Sequence, residues 1–283
     1  MVNIVGRFAP SPTGPLHFGS LVAAVGSWLF ARAAGGRWLV RIEDLDTARV
    51  VPGSEQEILA ALEKYGLEWD GEVVRQSERT ALYDAALARL PVYDCACSRA
   101  EIERAASAPV GAEAVYPGTC RDGLPPGRTP RAIRFRGNDD LIAFDDAIAG
   151  RVEDRVDDFI VKRADGPYAY QLAVVVDDAD QGVTQVVRGG DLLASTARQI
   201  ALQRALGLPE PAYAHLPLII GQDGTKLGKR DGSLPLPTLD SARIRASLSA
   251  ALRILGIDAG SLDEALPHFD PKRIPRSAKI TAV

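Results

Sequence analysis

A histidine, two glycines and three prolines lie close together near the start of the chain, in Arg-Phe-Ala-Pro-Ser-Pro-Thr-Gly-Pro-Leu-His-Phe-Gly-Ser at 7–20. An apolar run precedes this stretch at 2–5 and helix-spaced apolar residues follow it at 21–29, which predicts a strand, a tight turn and a helix. Proline delays the start of the helix, and glycine lets a ligand approach the backbone closely. The first N–H groups of a helix bind anions. We therefore expect an anion site here, with His17 beside it.

Two lysines further along the chain form a second candidate phosphate site. Lys226 and Lys229 lie in Lys-Leu-Gly-Lys-Arg, directly after a Gly-Gln-Asp-Gly turn. Taken alone, a basic turn of this kind is more often a solvated surface loop. Together with helix N–H groups, however, cations stabilise the charge that builds on phosphate oxygens during phosphoryl chemistry. The chain contains neither G-x-x-x-x-G-K-[ST] nor G-x-G-x-x-G, which disfavours a P-loop ATPase or a dinucleotide-dependent dehydrogenase.

Charged residues stand at the ends of two predicted strands. Arg7 ends the first strand, and a strand at 37–42 runs into Glu43-Asp-Leu-Asp. The carboxyl ends of parallel strands are where open α/β sheets bind ligands. Arginine binds a carboxylate in bidentate fashion, and Glu43 suits an ammonium group. A solvated acidic turn is the alternative interpretation of Glu43.

Three cysteines, all that the chain contains, fall close together and suggest a metal site. Cys95, Cys97 and Cys120 need a fourth ligand, and none of the three histidines lies near them in sequence. Tyr116, Asp122 or water remain as candidates. A phenolate ligand is unusual and C-x-C is a weaker signal than C-x-x-C, so the residues alone favour zinc and a packed cluster of thiols about equally.

Strands and helices alternate along the chain, as in an α/β fold. Further strands are predicted at 131–136, 158–163, 168–176, 183–187 and 216–220, and helices at 54–65, 80–90, 98–106, 194–206 and 240–255. Capping boxes predict the starts of two helices, one from Ser54 with Glu57 and one from Ser98 with Glu101.

Length and composition are those of a globular enzyme. The 283 residues are 46% hydrophobic, enough to build one or two domains. The net charge of −4 does not favour nucleic-acid binding, although charge can be segregated by face. No apolar run is long enough to span a bilayer, and no secretory signal is visible. With an odd number of cysteines, a disulfide framework is disfavoured, so we expect a cytoplasmic protein without a membrane partner.

Both phosphate-site stretches resemble the signatures of class I aminoacyl-tRNA synthetases of the glutamate group. His-Phe-Gly-Ser stands where that family has HIGH, with Ser20 in place of the second histidine. Lys-Leu-Gly-Lys-Arg stands where it has KMSKS, with Gly228 in place of serine. The sequence Arg-Ile-Glu-Asp-Leu-Asp at 41–46 strengthens the resemblance, which runs from residue 2 to about residue 255. It implies a Rossmann-type catalytic domain that uses ATP with Mg²⁺, and His17 and Lys229 as catalytic residues.

The same resemblance implies the contacts of both substrates. Residues expected to bind glutamate are Arg7, Phe8, Ala9, Pro10, Ser11, Glu43, Tyr170 and Arg188. Residues expected to bind ATP are His17, Gly19, Ser20, Lys226 and Lys229. Glutamine-specific relatives carry Pro-Glu-Pro where this chain has Pro-Ser-Pro, which favours glutamate as the substrate. A core tyrosine is the alternative for Tyr170, and a surface salt bridge is the alternative for Arg188.

The cysteine pattern resembles the Cys-x-Cys…Tyr-x-x-x-Cys zinc site of glutamyl-queuosine tRNA(Asp) synthetases. This resemblance favours one Zn²⁺ held by Cys95, Cys97, Tyr116 and Cys120. It implies a ligase, expected to be a monomer, that activates L-glutamate and transfers it to queuosine in the anticodon stem-loop of tRNA(Asp). The alternatives are a truncated glutamyl-tRNA synthetase that charges a tRNA 3′ end, and a non-catalytic tRNA-binding module.

The resemblance also implies an order of domains along the chain. We expect the first half of the catalytic domain at 1–90 and the second half at 166–230. Between them, an inserted subdomain at 91–165 would carry the zinc and bind the acceptor. A short helical segment would follow at 231–283, where full-length glutamyl-tRNA synthetases continue into an anticodon-binding domain that we do not expect here.

Overall fold

The computed structural model describes residues 3–106, 115–220, 236, 240–276 and 278–279. Its strands are β1 (Val5–Phe8), β2 (Arg37–Ile42), β3 (Val74–Arg75), β4 (Val92–Cys95), β5 (Ala132–Phe135), β6 (Asp140–Asp146), β7 (Gly150–Val156), β8 (Phe159–Lys162), β9 (Gln185–Gly189), β10 (Ala212–Leu216), β11 (Ile219–Ile220) and β12 (Ala278–Lys279). Its helices are α1 (Phe18–Ala33), α2 (Ser54–Lys64), α3 (Thr80–Leu87), α4 (Arg99–Ala106), α5 (Tyr170–Asp180), α6 (Thr196–Leu206), α7 (Ser241–Ile254) and α8 (Leu262–Ala265).

Strands β3, β2, β1, β9 and β10, in that order, form the parallel layer beneath the site. β2 pairs with both β1 and β3, and β9 pairs with β10, all in parallel. β1 and β9 lie side by side and are joined where they begin, because Thr184 N donates to Val5 O at 2.9 Å. The strand order reverses between β1 and β9, and open α/β sheets bind ligands at such a reversal. The predicted α/β, Rossmann-type class is therefore confirmed.

Helix α1 packs closely onto this layer and positions its own N-terminus beside the ends of the strands. Its side chains Ala24, Val25 and Leu29 have no exposed surface. A Cβ at Gly26 would lie 2.6 Å from the side chain of Leu216, so any other residue here would force Leu216 to shift where α1 approaches β10. Helix α7 packs on α1 and adds Leu252 to the same apolar core.

The segment between the two halves of the parallel layer contributes to two different sheets. β4, β5 and β8 form a separate antiparallel sheet. The hairpin of β6 and β7, by contrast, extends the layer, because β6 lies against β10 in parallel at Asp146 and Tyr213. The domain boundaries expected at 90, 165 and 230 stay a prediction.

The strand predicted at 168–176 is wrong, because this stretch contains helix α5, which begins at Tyr170. Every residue from Leu172 to Asp178 is buried. A segment that is covered on all sides shows no helical spacing of apolar residues, and a run of valines then looks like a buried strand.

The hairpin of β6 and β7 was not predicted, although its first strand shows a partial signal. Leu141 is exposed, whereas Ile142 and Phe144 are buried, which is the alternation of a strand that is covered on one face. The last strand was predicted at 216–220 and is displaced, since β10 ends at Leu216 and β11 is a separate short strand.

One of the two predicted capping boxes is confirmed. Ser98 N donates to Glu101 Oε2 at 2.6 Å, and Glu101 N donates to Ser98 Oγ at 3.3 Å. The other is wrong, because Ser54 is the first residue inside α2 and its side chain bonds to the backbone of Gly14 instead. Among the described ranges, no helix has the length and apolar character needed to cross a membrane.

Candidate active site

Two adjoining cavities open at the carboxyl ends of β1 and β9. The first has a volume of about 530 Å³ and the second about 420 Å³. They share a border formed by Phe8, Ala9, Ser11, Ala23, Gly189 and Asp191. The first cavity is lined by Arg7, Glu43, Tyr170 and Arg188, and the second by Pro10, His17, Gly19 and Ser20. Most of the residues expected to bind glutamate thus line the first cavity or its border, with Pro10 in the second, and the described residues expected to bind ATP line the second cavity.

The N-terminus of α1 forms one wall of the second cavity. His17 is the N-cap residue of this helix, and its Nδ1 accepts a hydrogen bond from Ser20 N at 3.2 Å. No acidic residue occupies the first turn, so the positive end of the helix dipole is not offset there. The geometry is that of an anion site at a helix N-terminus. Lys226 and Lys229 lie outside the described residues.

Hydrogen bonds from two neighbouring elements fix the turn between β1 and α1. Ser54 Oγ donates to Gly14 O at 2.8 Å and accepts from Gly14 N at 3.0 Å, so one hydroxyl satisfies both backbone groups. Gly14 has φ of 122°, in the region that favours glycine. Glu43 N donates to Pro10 O at 3.0 Å, which joins the turn to the end of β2. The turn is therefore held in place before any ligand binds.

Arg7 stands at the base of the first cavity and is almost completely buried. Its Nε donates to both carboxylate oxygens of Asp178, at 3.1 and 3.3 Å, and its Nη1 donates to Val187 O at 3.3 Å. Asp178 also accepts an ion pair from Arg41 at 2.8 Å. Sequence reasoning missed Asp178 and Arg41, because a buried acid on a helix and a buried arginine in a strand give no local signal of pairing.

Glu43 faces the first cavity from the end of β2. Its carboxylate lies 3.5 Å from Nη2 of Arg41. Burial raises the pKa of Glu43 to about 7, although Arg41 and Arg7 act in the opposite direction. An acid with this pKa ionises readily when a cation enters, so the position suits an ammonium group.

Arg188 is a buried cation that donates only to neutral groups. Its Nε donates to His215 Nε2 at 3.0 Å, its Nη1 to Tyr170 Oη at 3.1 Å and its Nη2 to Thr196 Oγ1 at 2.9 Å. Within the part of the chain that the structure describes, no carboxylate forms an ion pair with it. The surface salt bridge considered for Arg188 is thus wrong, and the arrangement leaves its charge for a ligand.

Tyr170 lies at the first turn of α5 and faces the same cavity. Burial raises the pKa of Tyr170, so its hydroxyl stays protonated at neutral pH. Since this oxygen already accepts from Arg188, its own proton is left to be donated. The side chain is half-buried rather than a fully covered core tyrosine.

The three cysteines converge, as the sequence predicts. Their sulfur atoms lie within 4.8 Å of one another, and Cys97 Sγ is 3.6 Å from Cys120 Sγ. Tyr116 Oη lies 3.6 Å from Cys95 Sγ and 3.7 Å from Cys97 Sγ. A tetrahedral zinc with bonds of about 2.3 Å to sulfur places its ligand atoms about 3.5–3.8 Å apart. The four side chains therefore fit a zinc ion.

Arg134 supports this cluster from one side. Its Nε donates to Cys95 Sγ at 3.3 Å, and its guanidinium lies over the Tyr116 ring, 3.7 Å from the centroid. Burial acts against ionisation of Cys95, but hydrogen bonds from Arg134 and Tyr116 outweigh it and lower the pKa of the thiol. The cation beside the sulfur therefore favours the thiolate form of Cys95. Asp122, the other candidate ligand, is fully exposed and belongs to no such cluster.

Comparisons with known proteins agree with this geometry. The model of the family described as tRNA synthetases class I (E and Q), catalytic domain, matches residues 3–268. A glutamyl-Q tRNA(Asp) synthetase from Geobacter sulfurreducens is 53% identical, over 97% of this chain and 95% of its own. The protein of that name from Pseudomonas aeruginosa PAO1 is 51% identical, over 98% of this chain and 97% of its own.

Solved structures show the same fold. The glutamate-tRNA synthetase from Elizabethkingia anophelis superposes with a TM-score of 0.84 at 31% identity, over 99% of this chain and 68% of that one. A glutamate tRNA ligase from Elizabethkingia meningosepticum, in complex with its amino acid, gives 0.82 at 32% identity, over 99% and 67%. The chain therefore belongs to the class I tRNA synthetases of the E and Q group, together with its relatives named glutamyl-Q tRNA(Asp) synthetase.

Proposed function

We propose that this chain activates L-glutamate with ATP and transfers it to the queuosine base at the wobble position of tRNA(Asp). The observation that carries the activation step is Arg188, a buried cation without a carboxylate partner in the described residues, in one cavity with Glu43. The choice of acceptor is supported by relatives at 51–53% identity over nearly the whole chain that are named glutamyl-Q tRNA(Asp) synthetase.

In the first step the amino acid occupies the first cavity. Arg7 and Arg188 bind its carboxylates through charge-assisted hydrogen bonds, and Glu43 binds its ammonium group. Phe8, Ala9 and Ser11, with the hydroxyl of Tyr170, complete the site, and Pro10 lies beside it in the second cavity. The amino acid is thereby held beside the second cavity, where ATP binds.

Activation of glutamate depends on stabilisation of the negative charge on the phosphate oxygens more than on a general base. A carboxylate oxygen of glutamate attacks the α-phosphorus of ATP, a new O–P bond forms, and pyrophosphate leaves with the electron pair of the broken bond. His17, the backbone at Gly19 and Ser20, and Lys226 with Lys229 stabilise the charge on the phosphate oxygens. Mg²⁺ bound with ATP neutralises part of the same charge.

In the second step a hydroxyl on the cyclopentene ring of queuosine attacks the glutamyl carbonyl carbon, and AMP leaves. A base in an anticodon loop is accessible on its edges, in contrast to a base inside an A-form helix. Cys95, Cys97, Tyr116 and Cys120 would hold one zinc ion, which would tie the end of β4 to Tyr116 and Cys120. The substrates ATP and tRNA agree with the expected cytoplasmic location.

Two assays separate the two steps. Pyrophosphate exchange into ATP should depend on L-glutamate and proceed without tRNA. Radiolabelled glutamate should then enter tRNA from cells that make queuosine and should not enter tRNA from cells that lack it. Absence of exchange would overturn the activation step. Equal labelling of unmodified tRNA(Glu) at its 3′ end would overturn the choice of acceptor and establish a glutamyl-tRNA synthetase instead.

A further inference from the structure

We propose that His215 and Asp146 are positioning residues for Arg188, and that they hold its guanidinium in the orientation that binds a carboxylate of the substrate. The inference rests on the proposed function, since it takes the first cavity as the glutamate site. His215 does not line either cavity, and Asp146 lies behind it, so neither side chain touches the substrate.

The contact between Arg188 and His215 follows from the register of the sheet. The two residues are direct partners across the parallel strands β9 and β10. Arg188 Nε lies 3.0 Å from His215 Nε2. An arginine Nε carries a hydrogen at all relevant pH values, so Nε2 has to accept this bond. The imidazole is therefore neutral and carries its proton on Nδ1.

Asp146 explains why His215 adopts this tautomer. Its Oδ2 lies 2.6 Å from His215 Nδ1, and its Oδ1 accepts from the backbone N–H groups of Ile148 and Ala149 at 3.0 and 2.8 Å. Burial acts against ionisation of Asp146, but these hydrogen bonds lower the pKa of its carboxyl to about 2. Burial also lowers the pKa of His215, which keeps the imidazole neutral. A fixed carboxylate thus faces Nδ1 and accepts a hydrogen bond from its N–H.

The neutral imidazole of His215 lies between the carboxylate of Asp146 and the guanidinium of Arg188, and this separation has a functional consequence. Arg7 pairs directly with Asp178, which offsets its charge. Arg188 is oriented through an imidazole instead, so its charge is not offset by direct contact with a carboxylate in the described residues. A carboxylate in the place of His215 would compete with the substrate for Arg188. The arrangement therefore orients the cation and leaves it available for glutamate.

Two amide substitutions test the inference, because their side chains differ in reach. In His215→Gln the amide oxygen reaches the position of Nε2 and can still accept from Arg188. In His215→Asn the amide reaches only the position of Nδ1, toward Asp146. His268→Asn, at an exposed position of the chain, is the matched control.

Glutamate binding, measured by titration calorimetry, should weaken roughly 10–100-fold in His215→Asn, the range for losing a hydrogen bond to a charged group. The KM for glutamate should rise with it, while the KM for ATP and the turnover number stay close to those of the parent. His215→Gln should restore most of the affinity, and His268→Asn should change nothing. Equal glutamate affinity in parent and His215→Asn would overturn the inference.

A spectroscopic measurement keeps the inference testable should the variants fold poorly. With only three histidines in the chain, the ¹⁵N signals of the imidazoles can be assigned by single substitution. At pH 7 His215 should show the neutral Nδ1–H tautomer, whereas an imidazolium or an Nε2–H tautomer would overturn the inference. A parent that binds glutamate but catalyses no exchange would overturn the proposed function alone, because the binding and tautomer measurements do not depend on turnover.

Discussion

Arg7 and Asp178 form a buried ion pair, with 3.1 Å between Nε and Oδ1, that joins β1 to α5 across 171 residues of sequence. Asp178 holds Arg41 as well, at 2.8 Å, and Arg41 in turn faces Glu43. Arg7 on β1 and Glu43 just after β2, both assigned to glutamate, are thus linked to one acid on α5, Arg7 directly and Glu43 through Arg41. The site is built before the substrate arrives, which is the condition for strong electrostatic stabilisation.

Substitution of Arg7 should affect both binding and folding. We expect Arg7→Ala to reduce glutamate affinity by about 1.5–3 kcal/mol, the cost of losing a charged hydrogen-bond partner. It should also lower the free energy of unfolding, because Asp178 loses one of its two cations. Arg7→Lys keeps the charge without the planar geometry, so it should recover stability but little affinity. Calorimetry and thermal unfolding measure the two effects, and unchanged affinity in Arg7→Ala would show that the pocket is misassigned.

The pH dependence of glutamate binding should reflect Glu43. Because the pKa of Glu43 is raised to about 7 in the site without substrate, the carboxyl is increasingly neutral below pH 7 and pairs poorly with an ammonium group. The KM for glutamate should therefore rise as pH falls below 7, by up to about tenfold per pH unit. Glu43→Gln should raise the KM at pH 8 and remove this dependence. A KM profile of the parent that is flat from pH 6 to 8 would contradict the assignment.

Loss of either His17 or Lys229 at the phosphates should slow activation. We expect His17→Ala and Lys229→Ala each to reduce the rate of pyrophosphate exchange roughly 10²–10³-fold, as for removal of one preorganised contact to developing charge. The KM for glutamate should change little, because both groups belong to the ATP site. His268→Ala serves as the control. Exchange at the parent rate in Lys229→Ala would remove this residue from the mechanism.

Loss of zinc should reduce glutamate transfer to tRNA and leave the activation of glutamate intact. Elemental analysis of protein purified without chelators should find one zinc per chain, and Cys97→Ser should lose it. Asp122→Asn is the matched control, because this exposed acid was the other candidate ligand, and it should retain the metal. Cys97→Ser should keep pyrophosphate exchange while glutamate transfer to tRNA declines. A parent protein without metal would contradict the site.

The hydroxyl of Ser54 should stabilise the turn that borders the ATP site. Ser54→Ala removes both hydrogen bonds to Gly14 and leaves its backbone groups unpaired, which should cost about 1–3 kcal/mol of unfolding free energy. Ser54→Thr keeps the hydroxyl and is the conservative comparison. Chemical denaturation of the three proteins gives the measurement, and equal stability of Ser54→Ala and the parent would contradict the role.

The sequence predicts the parts of this site that are local. The strand, turn and helix around His17 follow from apolar spacing, proline and glycine, and the cluster of three cysteines follows from their proximity in the chain. The sequence was misleading at Ser54, because a serine hydroxyl can either cap a helix or bond to the backbone of a distant residue. Ser54 begins a good capping box in sequence, yet its hydroxyl has a partner 40 residues away.

The buried residues that hold the substrate-binding side chains in place were not predictable from the sequence, for a physical reason. Asp178 and Arg41 are buried charges whose partners lie on other elements, and a single sequence does not show which elements become neighbours. Asp178 also belongs to α5, which the valine run made look like a strand. His215 meets Arg188 only through the register of β9 and β10, which a single sequence does not reveal.

The central claim is that glutamate is transferred to queuosine, and an isolated anticodon stem-loop tests it most directly. Two fragments of tRNA(Asp) are needed, identical except that one carries queuosine and the other guanine at the wobble position. With ATP and radiolabelled glutamate, we predict that label enters the queuosine fragment and is absent from the guanine fragment. Equal labelling of both fragments, or labelling of neither while tRNA(Glu) is charged at its 3′ end, would contradict the account.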